Sequence, residues 1–65
     1  MKRDFTVFVS YEDNSEFRFV VTSEENELEV NALLMMIARG VLMASTAKKA
    51  VCYDDQGFEI CSYVK

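Results

Sequence analysis

The sequence predicts an α+β fold of order β-β-α-β-β, with one antiparallel four-stranded sheet and a single long helix packed on one face. Three observations predict it. Two stretches near the start alternate apolar and polar residues around a polar turn, as half-buried strands do. A middle stretch repeats apolar residues at helical spacing behind a run of hydroxyl and acidic residues, which is a helix start. The last third alternates again around Asp54-Asp55-Gln56-Gly57, a turn signal between two strands. A chain of 65 residues makes one domain, 1–65.

In the first strand, Phe5, Val7, Val9 and Tyr11 form one apolar side. Glu12-Asp13-Asn14-Ser15 is a polar turn cluster, and Phe17, Phe19 and Val21 form the apolar side of the second strand. Both sets are odd-numbered and must share one face of the sheet. A three-residue loop from Asp13 to Ser15 would pair Tyr11 with Phe17, Val9 with Phe19 and Val7 with Val21. That register sets Phe8 opposite Val20 on the other face, an apolar pair where a solvated face is polar.

Thr22-Ser23-Glu24-Glu25 reads as the helix start. Thr22 with Glu25 fits a capping box, and Ser23 is the rival cap. Glu24, Glu25, Glu27 and Glu29 suit the positive end of the helix dipole, an ordinary role for acidic residues in a first turn. The helix is expected to reach about Ala47, where Lys48 and Lys49 complement its other end. Val30, Leu33, Leu34, Ile37, Val41 and Ala44 form the stripe assigned to the sheet. Leu28, Ala32, Met35, Met36, Leu42 and Met43 lie largely off it, and from Ala32 to Ala44 only Arg39 is charged. A helix of about 23 residues is about 34 Å long, whereas strands of about seven residues span about 23 Å. The expected helix overhangs its sheet, and Gly40 either shortens it or admits another backbone.

The second hairpin joins Ala50–Tyr53 to Phe58–Val64. Asp54 at the first place and Gly57 at the fourth suit a type I turn with a glycine bulge. That register pairs Asp54 with Phe58 and Cys52 with Ile60. Ala50, Cys52, Phe58 and Ile60 then share one face, and Val51, Tyr53, Cys61 and Tyr63 the other. Cys52 and Cys61 point apart in this register and cannot bond. A two-residue Gln56-Gly57 turn would set them opposite each other. In a reducing cytosol the expectation is a pair of packing thiols with no disulfide.

Composition narrows the function classes. The chain has no histidine, which removes the commonest general base and metal ligand. No glycine-rich phosphate loop or metal motif is present, so the expectation is no catalytic residue, no cofactor and no metal. Eleven acidic against seven basic residues give a net charge of −4, which opposes direct nucleic-acid binding. The apolar stretch from 32 to 44 is too short to span a membrane, and no secretory leader precedes the first strand. A cytoplasmic location follows.

The apolar surplus then decides the reading. One helix is expected to cover one face of the sheet, which leaves its own back unburied, and such patches mark interaction sites. The expected function is a small acidic, non-catalytic protein-binding module, a homodimer that modulates a larger partner protein. Its interface residues are Leu28, Met35, Met36, Gly40, Leu42 and Met43. A second interface comprises Phe8, Val20, Val51, Tyr53 and Tyr63 on the outer sheet face. Size, acidity and element order look like those of many small phage- or mobile-element-encoded proteins that bind and modulate a host protein. One alternative is an inhibitor that mimics nucleic acid, which requires carboxylates aligned on one exposed face. Another is an oligomeric small-molecule-binding protein or enzyme with a polar site between subunits.

Overall fold

The structure, a computed structural model, describes residues 2–65. Strands β1 (Arg3–Tyr11) and β2 (Glu16–Ser23) precede helix α1 (Glu27–Ala44), and β3 (Ala47–Tyr53) and β4 (Glu59–Val64) follow it. The strands form one sheet in the order β2-β1-β3-β4, and every neighbouring pair is antiparallel. The α+β class and element order are those the sequence predicts. β1 takes the centre, where its inward Phe5, Val7 and Val9 are all at most 1 % exposed.

The first hairpin has a three-residue loop, one position earlier than expected. Tyr11 N donates to Ser15 O at 2.9 Å, and Asn14 N donates to Tyr11 O at 3.0 Å. Asn14 sits at φ 68°, a left-handed conformation that asparagine tolerates better than most residues. Asp13 accepts from Ser15 N at 3.0 Å and also from Ser15 Oγ, which holds its carboxyl below the usual carboxylate range. The register therefore pairs Phe5 with Val21, Val7 with Phe19 and Val9 with Phe17. The two-residue slip keeps odd residues opposite odd ones, so the predicted faces survive. Phe8 meets Arg18 instead of Val20, and the guanidinium lies 5.9 Å from the Phe8 ring centroid.

The helix is shorter than expected, because its cap is Asn26 and not Thr22 or Ser23. Asn26 Oδ1 accepts from Glu29 N at 2.9 Å, the bond that satisfies a free donor of the first turn. Ser23 Oγ instead accepts from Glu25 N at 3.1 Å, and Thr22 Oγ1 donates to Asp4 at 2.8 Å. At its other end the helix stops before Ser45, whose Oγ donates back to Val41 O at 2.6 Å. Lys48 and Lys49 belong to β3. The lysine that meets the helix C-terminus is Lys65, whose Nζ donates to Ser45 O at 2.8 Å. Eighteen residues make a helix of about 27 Å, so the expected overhang disappears. The helix runs unbroken through Gly40.

The buried helical residues are Val30, Leu34, Ala38 and Leu42. Leu33, Ile37 and Val41 are half-buried and Ala44 is exposed, so the inward stripe is rotated from the expected one. Residues spaced by four drift about 40° per step around the axis, a slant that follows the twist of the sheet beneath. Ala38, Ala47 and Ala50 are 0 % exposed, and their small side chains let helix and sheet approach closely.

The second hairpin has the predicted turn but not the predicted register. Asp54 N donates to Phe58 O at 2.9 Å, and Gly57 N donates to Asp54 O at 3.1 Å. Gly57 has φ 84°, the positive value the bulge requires. Beyond the turn a second bulge intervenes. Tyr53 pairs with Glu59, but Cys52 pairs with Cys61, leaving Ile60 as the extra residue on β4. Ile60 and Cys61 both pack against the core. Tyr63 comes inward too, opposite Ala50.

Candidate functional site

The sequence places no polar constellation in the interior, and among the described residues no polar or charged side chain is buried. The features that stand out are apolar and exposed. Along the outward side of α1, Leu28 is 83 %, Met36 72 % and Met43 85 % exposed, and Ala32 lies between them. Met35, at 40 %, borders the same side. Gly40 is exposed, and a Cβ built there meets nothing within 4 Å, so no backbone approaches it within the chain. Leu42 departs from its expected place: it is 7 % exposed and belongs to the core.

A second apolar area went unforeseen. The helix lies over β3 and β4, and the inner face of β2 is left open. Phe17, opposite the buried Val9, is 55 % exposed, and Phe19 and Val21 are half-buried. The rings of Phe17 and Phe19 lie 5.8 Å apart. The physical reason is width. A helix is about 10–12 Å across, while four strands at about 4.8 Å spacing make a wider floor. One helix therefore does not cover one face of this sheet, contrary to expectation. Strand spacing against helix diameter is the signal that sequence reasoning had available for this area.

The two areas join. Glu27 and Asn31 border a cleft with Glu59 and Ile60, and Arg39, Leu42 and Met43 border one with Tyr63 and Val64. That flank of α1 faces β4. The opposite flank, Leu33, Ile37 and Val41, therefore overlooks β2. A ridge on the helix, apolar but for the exposed Arg39 beside Met36 and Met43, thus stands beside an apolar shelf (inner β2), with Gly40 on the slope between them.

The outer sheet face offers less than expected. Val51 is 8 % exposed, and Phe8 packs edge-on against Tyr53 with centroids 5.5 Å apart. Tyr63 lies on the helix side of the sheet instead. Of the five residues expected there, only Val20, at 57 %, is largely exposed.

The polar clefts are shallow. One of about 250 Å³ at the start of α1 is lined by Arg3, Glu27, Asn31, Asp54 and Glu59 among others. Two of its groups serve the fold. Asp54 Oδ1 accepts from Gln56 N and Phe58 N, both at 2.9 Å. Arg3 pairs with the neighbouring Asp55 at 3.2 Å. Among the described residues no group of three His, Cys, Asp or Glu side chains converges as metal ligands would, and no helix is long and apolar enough to cross a membrane.

Cys52 and Cys61 are both free thiols, Cys52 buried and Cys61 half-buried. Cys52 Sγ donates to Leu34 O at 3.7 Å. Burial first, then the neighbouring Cys61 thiol, pushes the Cys52 thiol up to about 12. The expected separation of the two cysteines onto opposite faces is thus overturned. The prediction failed because it carried the turn register through the strand, and the bulge at Ile60 shifts it by one residue.

Compared with known proteins, the chain matches no family model, no curated protein and no solved structure.

Proposed function

We propose that the protein is a non-catalytic protein-binding module that works as a homodimer, its helix lying on the open β2 shelf of a second copy. The observation that supports this reading is the pairing of ridge and shelf on one side of the molecule. A two-fold contact uses the same patch on both subunits, so that patch must be complementary to itself. A ridge next to a shelf satisfies this. Leu28, Met36 and Met43 of one copy cover Phe17, Phe19 and Val21 of the other, and the reverse contact forms at once. Two helices then lie side by side between two sheets, with Gly40 where they approach. The arrangement buries the apolar surface that neither area covers within its own chain. Methionine suits such a surface, because its flexible side chain adapts to an irregular one.

Sedimentation tests the reading. The wild-type chain, of 7.5 kDa, is expected to sediment near twice its monomer mass at micromolar concentration. Met36→Asp on the ridge and Phe17→Asp on the shelf are each expected to give a folded monomer, since both side chains are exposed in the monomer and a charge in the contact would be buried unpaired. Leu42→Asp does not test the interface, because Leu42 sits in the core. A wild-type monomer would overturn the dimer and assign the surface to a helix of another protein. A dimer indifferent to both substitutions would place the contact elsewhere.

A further inference from the structure

We infer that Cys52 and Cys61 form a reversible oxidation site, in which a cross-strand disulfide ties the edge strand β4 to β3. The two residues are direct partners across an antiparallel ladder. Facing residues in such a ladder have Cα atoms about 4.5–5.5 Å apart, inside the range of about 4.4–6.8 Å that a disulfide spans. The side chains lie on the same side of the sheet, where Cys61 packs against the core that holds Cys52. The bulge at Ile60 creates this juxtaposition. Without the extra residue, Cys52 would face Ile60 and the cysteines would point apart.

The two thiols differ in access. Cys52 is 0 % exposed, while Cys61 is half-buried on an edge strand. Cys61 is therefore the thiol that a small-molecule disulfide meets first. As a thiolate it attacks one sulfur of the small disulfide. A Cys61–S bond forms, the reagent's S–S bond breaks, and the first reagent half leaves as a thiol carrying the Cys61 proton. Cys52 Sγ then gives up its proton, attacks Cys61 Sγ and displaces the second half as a thiol. Two protein thiols are oxidised and one small disulfide is reduced to two thiols. Burial disfavours the Cys52 thiolate, which makes the second step slow in free solution. The neighbouring position of Cys61 offsets this, because an attack within one molecule benefits from high effective concentration.

The test uses the full chain and oxidised glutathione, followed by intact mass and non-reducing electrophoresis. The wild type is expected to lose two hydrogen atoms in mass, remain uncrosslinked to a second chain, and return to its starting mass with excess reduced glutathione. Cys52→Ala is expected to stop at a stable glutathione adduct on Cys61, and Cys61→Ala to take up no glutathione while folded. Since either variant could fold poorly, the wild type is decisive by itself. A lasting glutathione adduct, a disulfide joining two chains, or two unreacted thiols would each overturn the inference.

Discussion

The thiol of Cys52 lies against the Leu34 carbonyl in a core that contains no charged group among the described residues. Ionising it there is costly because the thiolate leaves water. The consequence is a stability change with pH whose sign is fixed. The folded chain holds this proton up to about 12, against an ordinary value of 9.0. Stability from the neutral thiol is fully present below about pH 9 and is lost as pH rises through that window toward 12. Under reducing conditions, wild type is expected to exceed Cys52→Ala in thermal midpoint at pH 8, through lost packing in the variant. That advantage is expected to shrink steadily above pH 9. A pH-independent gap between the two melting curves would contradict the burial of this thiol.

At the scale of the element, the helix start shows how a local motif loses to a neighbour. Thr22 and Glu25 have capping-box spacing, but Thr22 still belongs to β2, where it pairs with Asp4. Asn26 begins the helix instead. Asn26→Ala is expected to cost about 1 kcal/mol, the usual worth of a side-chain cap. For a domain of this size that is a fall of roughly 4–8 °C in thermal midpoint. Thr22→Ala, on an exposed strand end, is expected to change stability by less than about 0.5 kcal/mol. The reverse order would return the cap to Thr22. The same element explains the apolar surplus. The helix buries a slanted row on β3 and β4 and presents Leu28, Met36 and Met43 outward, so its amphipathicity is incomplete inside one chain.

Across the whole molecule, carboxylates crowd one end of the sheet, and the other end mixes both signs. Asp4, Glu24, Glu25, Glu27, Asp54 and Asp55 collect at the end where α1 begins, because Arg3 pairs with Ser23 and also reaches Asp55. Lys48, Lys49 and Lys65 lie at the other end with Glu12, Asp13 and Glu16 of the first hairpin; there Lys48 Nζ reaches Asn14 at 3.2 Å and Lys65 meets the last turn of the helix. Glu27 and Glu29 in the first turn and Lys65 at the last complement the helix dipole. Three lysines that share their end of the sheet with three carboxylates, on a chain of net charge −4, make a poor footprint for a phosphate backbone. No binding to duplex DNA or RNA is expected by fluorescence anisotropy in about 0.15 M salt, and micromolar affinity there would contradict this.

Alternation and helical spacing alone determine the element order, the two hairpins and the odd-numbered inner face of the first, because those periods are local and the strand parity survives a slip of two residues. The Gly57 turn is equally local, since positive φ favours glycine. Only the tertiary structure decides the register beyond each turn. Asn14 takes the left-handed position that sets one hairpin, and Ile60 bulges out of line in the other, so Cys61 and Tyr63 turn inward and Cys61 meets Cys52. The rotation of the helix is also a tertiary matter: it brings Leu42 and Ala38 onto the sheet and leaves Ala44 outside. So is the lateral seat of the helix over β3 and β4. A helix narrower than its sheet must leave some strand uncovered, and packing contacts between distant segments determine that the strand is β2.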